Sequence, residues 1–362
     1  MLFFNKKQNI INMRHIALLS VGILMTLLTG CTQDDIWDAE KDRKQIVFTP
    51  MEFEKAIPVT RGSQATVGST TSYGVSASIY PAANSFTSAG CGSYWYNAEV
   101  VTATGKSGYY WPGADKRVSF FAYAPYGATG LSLVSANDNG YPRYTYTVPT
   151  TVANQADFMT ANVTDHSGAG ITTSVPLTFS HQCADIRFLV YNQGTTSITV
   201  HSIAIYGVKY SGTFCESSSP KWTLSGTVNS TSVNPFLLSL GTAVAAGATV
   251  DMTGTTNHFI MLPQTVASGT QIFDVDATVN GVRSHYYHNL PSALELQAQK
   301  SYAFTLTLGE GNMIVDTTTD ITDWEVEVKY LTVSSVSSSS SSWSQPSVSD
   351  GEDVGIENWV LE

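Results

Sequence analysis

Few residues of this 362-residue chain are spaced for chemistry. His285-Tyr286-Tyr287-His288 sets two imidazoles three positions apart. On an extended strand such residues point to opposite faces, which spoils a shared metal site. Asp274 and Asp276 alternate with Phe273, Val275 and Ala277, the pattern of a solvated carboxylate face. Asp185 is a further candidate carboxylate. His181 has no carboxylate or nucleophile at a useful spacing and reads as a structural hydrogen-bonding residue. No G-x-S-x-G, H-E-x-x-H or phosphate-cradling glycine loop is present. We therefore expect no catalysis, no metal and no cofactor. One thiol stands apart. Cys31 follows Leu28-Thr29-Gly30, where two small residues would let a peptidase approach the backbone. Only a thiol can form a thioether, so lipid attachment is the chemistry this cysteine offers.

The elements ahead of Cys31 place it. Ile16 to Leu28 is a short apolar run preceded by Lys6, Lys7 and Arg14. This is the layout of a secretory signal, too short to span a bilayer comfortably. Met13 could equally be the start, since Arg14 would still supply the charge. Leu28 to Cys31 resembles the lipobox of bacterial lipoproteins. That likeness implies a diacylglycerol on Cys31 and a cut just before it; the alternative is an ordinary signal peptide with a chance cysteine. Thr32 to Asp42 is polar and acidic, a flexible tether holding the folded part off a membrane. It also resembles the acidic patch that marks some lipoproteins for the outer face of the outer membrane.

Residues 1–30 carry three basic groups and no acidic ones, so the chain's 18 Lys+Arg and 29 Asp+Glu leave 15 against 29 after Gly30, a net charge of −14. That balance excludes the basic footprint on which nucleic-acid binding depends. Cys91, Cys183 and Cys215 remain as one disulfide plus a free thiol, or as three buried thiols.

From Gln45 onward the period is two. Ile46 and Phe48 share one face and Val47 and Thr49 the other, before Pro50. Similar alternation runs through Val75–Ile79, Val118–Ala124, Tyr144–Val148, Cys183–Tyr191, Tyr302–Leu308 and Trp324–Tyr330. Ser197 to Tyr210 is one long β-branched stretch, and Asn280-Gly281 is a two-residue hairpin turn. No helical stripe of useful length occurs before residue 180. Many short strands in two blocks predict an all-β chain of two antiparallel sandwiches in tandem. The expected organisation is a signal peptide (1–30), a tether (31–44), sandwiches over 45–180 and 181–333, and a tail over 334–362. In the tail, Ser334 to Ser344 is nearly all serine, a flexible linker. Val354, Ile356, Trp359 and Val360 follow in a strand-capable tip, which could instead be a disordered end.

Four stretches carry a family resemblance: Tyr110-Trp111-Pro112-Gly113 through Pro125, Pro176 through Phe188, Met261-Leu262-Pro263-Gln264, and Ile321-Thr322-Asp323-Trp324. In this order, behind a lipobox, they resemble the fimbrillin-like (major-fimbrium type) subunits of type V pili. The resemblance implies two transthyretin-like sandwiches and a structural subunit, exported as an outer-membrane lipoprotein through Cys31 and then built into a cell-surface fimbrium. It implies three partners: other fimbrial subunits, an arginine-specific protease, and outer-membrane lipid before processing. In the family that protease removes the N-terminal strand and a neighbour's strand fills the groove.

The residues allow this route. Removing a paired strand exposes two rows of backbone groups and an apolar slot, a template for another strand. Ile46, Val47 and Phe48 are the candidate leading strand. Arg61-Gly62, flanked by Pro58 and Gly62, is the candidate cut, because a cut at Arg43 would precede the strand and open nothing. The donor is either Trp324–Val333 or the 354–361 tip. A head-to-tail contact of this kind does not close and generates a filament. The rival reading is a surface lipoprotein that stacks glycans on exposed rings of Tyr94-Trp95-Tyr96 and Tyr109-Tyr110-Trp111. A glycoside hydrolase, which needs two opposed carboxylates, ranks behind both.

Overall fold

The computed structural model describes residues 44–50, 52–53, 72–86, 92–101, 106–136, 140–170, 174–254, 256–309, 313–323 and 328–329. Cys31, Arg61, Gly62, Cys91, Trp324 and the 334–362 tail with Val354, Ile356, Trp359 and Val360 lie outside them. Among the described residues the chain is β throughout, apart from the 3₁₀ turn Val152–Asn154. No helix among them is long and apolar enough to cross a membrane.

Two sheets enclose a first core. One has the order Val175–Leu177, Gln45–Pro50, Lys106–Tyr110. The other runs Ser180–His181, Met159–Ser167, Lys116–Ala124, Ser72–Pro81, Gly92–Val101. Ile46 and Phe48 from the first meet Val75, Val118 and Phe120 from the second in one buried cluster. Edge-to-face contacts order the rings, as between Trp111 and Phe120, whose centroids lie 5.9 Å apart. Lys116–Ala124 is buried on both faces from Val118 onward. Its outward Phe121 is covered by Phe86 and Tyr141 and its outward Tyr123 packs on Tyr126 and Tyr144, which explains why phenylalanine and tyrosine stand where simple alternation would put polar residues.

A second, larger core lies among three further sheets. Ala184–Asn192 and Lys300–Leu308 pair in parallel, an exception to the antiparallel rule that also holds for Gln45–Pro50 against Val175–Leu177. Facing them, Ile198–Ile205 lies between Phe236–Val244 and Gln271–Val279. Phe188, Phe273 and Phe304 join the layers, with Phe188 and Phe273 centroids 5.0 Å apart. The third sheet pairs Pro142–Thr147 with Lys209–Cys215, so residues from before and after position 180 share the second core. The expected single stretch from Ser197 to Tyr210 is broken at Gly207, whose φ of 70° turns the chain from one sheet into another. Asn280 and Gly281 both have positive φ and close the hairpin of Gln271–Val279 onto Val282–Asn289.

One buried polar cluster inside this frame is closely paired. Asp185 is fully buried and accepts a hydrogen bond of 2.6 Å from the Ser301 hydroxyl. His258 Nδ1 lies 2.8 Å from the same carboxylate, and its Nε2 lies 2.8 Å from the Gly254 carbonyl. Oxygen acceptors beside both ring nitrogens favour the doubly protonated imidazolium. Burial alone would lower the His258 pKa, but the Asp185 carboxylate and the Gly254 carbonyl together raise it. A raised value stabilises the fold fully below the ordinary imidazole pKa of 6.5, and that stabilisation is lost as pH climbs through the higher folded value. Thermal unfolding of wild type and His258→Gln at pH 5.5, 7 and 8.5 should therefore show the widest gap in Tm at pH 5.5 and a narrowing gap above it.

Candidate functional site

The leading strand Gln45–Pro50 is the middle strand of its sheet. On one side Phe48, Thr49 and Pro50 run parallel to Val175, Pro176 and Leu177. On the other, Gln45 and Val47 oppose Tyr110 and Lys106. Ile46 is 0% and Phe48 2% exposed, while Val47 and Thr49 are half-buried on the opposite face. The alternation read from the sequence is thus the one realised. Phe48 meets Phe120 edge-on at a centroid distance of 5.2 Å. Polar anchors line the same path. The buried Ser107 hydroxyl donates to the Ile46 carbonyl at 2.9 Å, and the Trp111 N–H donates to the Lys44 carbonyl at 3.0 Å. The Thr49 and Ser174 hydroxyls are hydrogen-bonded to each other.

Burying Ile46 and Phe48 stabilises the fold by about 1.5–3 kcal/mol each. Their removal would also leave backbone groups of Lys106–Tyr110 and Val175–Leu177 without partners, each a further cost if kept from water. The site is therefore a slot shaped for an extended segment with apolar residues at alternate positions. Its chemistry is strand pairing, not bond making.

The other sequence candidates are structural. Trp95 and Trp111 are each only 4% exposed. Trp95 stacks on Tyr109 with centroids 4.2 Å apart, and both indoles belong to the first core. The rival reading of a sugar-stacking platform therefore loses its two largest rings, since a buried ring has no free face. Asp274 and Asp276 do not form a solvated face either: they are 6% and 7% exposed and paired across the hairpin. Asp276 takes a bidentate grip from Arg283, which lowers its pKa, and Asp274 lies 3.0 Å from His285 Nδ1. His285 and His288 separate as expected, with His288 stacking on Phe273. His181 is buried against Asp157, Nδ1 to Oδ2 at 2.7 Å. Sequence reading missed that carboxylate, as it missed the His258–Asp185 pair, because the partners are far apart in the chain and no local spacing announces them. Cys183 and Cys215 are buried thiols, and burial pushes the Cys183 thiol up. Among the described residues no group of three or more His, Cys, Asp or Glu could hold a metal ion.

Comparison with known proteins adds the relatives. The family model described as fimbrillin-like matches residues 60–324, well over half of the chain, beginning just after the leading strand. A fimbrial protein from Bacteroides vulgatus ATCC 8482 is similar in structure, with a TM-score of 0.52 and 16% identity over 78% of this chain and 99% of that one. A candidate cell adhesion protein from Bacteroides uniformis ATCC 8492 has a TM-score of 0.49 and 18% identity over 78% of this chain and 99% of its own. At these identities the first likeness speaks for the fold. No curated protein matches the chain.

The slot predicts an asymmetry along one strand. Phe48→Ala should destabilise the uncut chain by about 3–5 kcal/mol, and Val47→Ala by about 1 kcal/mol. Urea unfolding midpoints would measure both; equal losses would mean that the slot is not gripping one face.

Proposed function

Because the chain belongs to the fimbrillin-like family, we propose that it is a structural subunit of a cell-surface fimbrium that contributes to adhesion and polymerises by strand exchange. The observation that carries this reading is the central position of Gln45–Pro50, an N-terminal strand whose loss would open a slot with two hydrogen-bonding walls and an apolar floor. Nothing in this role calls for catalysis.

The route begins with export as a lipoprotein precursor held to the outer membrane through Cys31. An arginine-specific protease then hydrolyses the Arg61–Gly62 bond, adding one water to leave a carboxylate on Arg61 and an amine on Gly62. The segment bearing Ile46, Val47 and Phe48 departs with the lipid. A vacated slot leaves the subunit short of much of an ordinary domain's stability margin of about 5–15 kcal/mol. A strand from the next subunit restores it, which gives assembly its driving force. The donor is drawn from the C-terminal end, either Trp324–Val333 or the tip bearing Val354, Ile356, Trp359 and Val360. Heterologous contacts of this kind extend without closing.

Treating the purified chain with an arginine-specific protease should yield Gly62 as the new N-terminus and a ladder of heat-sensitive multimers on gels. Arg61→Ala should remain monomeric. A trimmed chain that stays monomeric under all conditions would remove the assembly reading.

A further inference from the structure

The chain that leaves the slot does not end its work at Pro50. After Met51, Glu52 and Phe53 pair antiparallel with Lys329 and Val328. The two residues from the far end of the chain thus take their described strand partner from the leader itself. Ahead of them, Met313–Asp323 is held along Lys300–Leu308, with Asp323 opposite Lys300. Residues 324–327 separate that anchored strand from Val328.

A two-residue ladder is too short to persist alone. Here both of its strands are tethered nearby, one by the buried Ile46 and Phe48 and the other by the pairing of Met313–Asp323. Tethering makes the pairing intramolecular and raises its effective concentration. Conversely, once Ile46 and Phe48 leave the slot, Glu52 and Phe53 lose their tether and Val328–Lys329 loses its described partner.

We propose that the leader is a clasp, whose one segment fills the acceptor slot with Gln45–Pro50 and holds the C-terminal segment at Val328–Lys329 on its own chain with Glu52–Phe53. This deepens the strand-exchange reading and rests on it. A single cut between residues 53 and 72 frees both ends at once, because everything N-terminal to it is one piece. An uncut chain then does not accept a strand and, with Trp324–Val333 as the donor, does not offer one either, which keeps precursors from polymerising before they reach the surface. The device explains why one strand meets two distant parts of the fold, which filling the slot alone does not require.

Hydrogen–deuterium exchange read by mass spectrometry on the full chain tests this, with peptides covering residues 45–50 and 325–331. In uncut wild type, 328–329 should exchange about tenfold more slowly than after an arginine-specific protease has removed the leader. Phe53→Pro deletes a backbone N–H at the clasp. It should bring 328–329 to the cut rate while 45–50 stays slow, which also reports that the fold is intact. Ile46→Ala loosens the leader without altering 328–329, and should speed exchange at both peptides together. Exchange at 328–329 as fast in uncut wild type as in cut chain would overturn the clasp. So would slow exchange there in Ile46→Ala once 45–50 has become fast. These readings are made on monomers. Failure of a cut chain to polymerise after 328–329 has been freed would therefore count against strand exchange and not against the clasp.

Discussion

A strand in the middle of a sheet must satisfy N–H and C=O groups on two sides, and Gln45–Pro50 meets that demand between Lys106–Tyr110 and Val175–Leu177. The segment is also the N-terminal strand of the described chain, so a part that a fold could keep at its margin instead sits at a centre. The side-chain arrangement follows from that placement. Ile46 and Phe48 supply the floor contacts with Phe120, and Ser107 holds a carbonyl of the strand that its own neighbours leave reachable. The strand's own Ile46 and Phe48 are thus part of the packing of the first core.

The rest of the molecule supports the slot by packing around it. Aromatic contacts tie Lys116–Ala124 to the slot on one side and to Phe86 and Tyr141 on the other. In the second core, Phe188, Phe273 and Phe304 join two sheets, while the Asp185, His258 and Ser301 cluster fixes the parallel pair of Ala184–Asn192 and Lys300–Leu308. Each buried carboxylate is matched to a donor, so burial costs are offset locally and the strands are held in register.

Much of this was readable from local pattern. Period-two runs marked the strands Ser72–Pro81, Pro142–Thr147 and Lys300–Leu308, and Asn280-Gly281 marked its hairpin, because side-chain alternation and positive φ are local properties. The slot-filling face of Ile46 and Phe48 was visible for the same reason. Pairing was not: nothing local to Pro142–Thr147 says that its partner is Lys209–Cys215, and nothing local to Trp95 or Trp111 says that the indoles point inward. The second buried face of Lys116–Ala124 was hidden in the same way, because the Phe86 and Tyr141 rings that cover Phe121 come from elsewhere in the chain. The contacts of His181 with Asp157 and of His258 with Asp185 were hidden by the same long-range closure, as was the meeting of Glu52–Phe53 with Val328–Lys329.

Replacement of this chain's own leader by a sister molecule's strand can be seen in a density map of the assembled polymer, resolved well enough to trace backbone. The position between Lys106–Tyr110 and Val175–Leu177 should then hold an extended segment from the C-terminal end of a neighbouring subunit. Finding each subunit's own Gln45–Pro50 still in that position would contradict it.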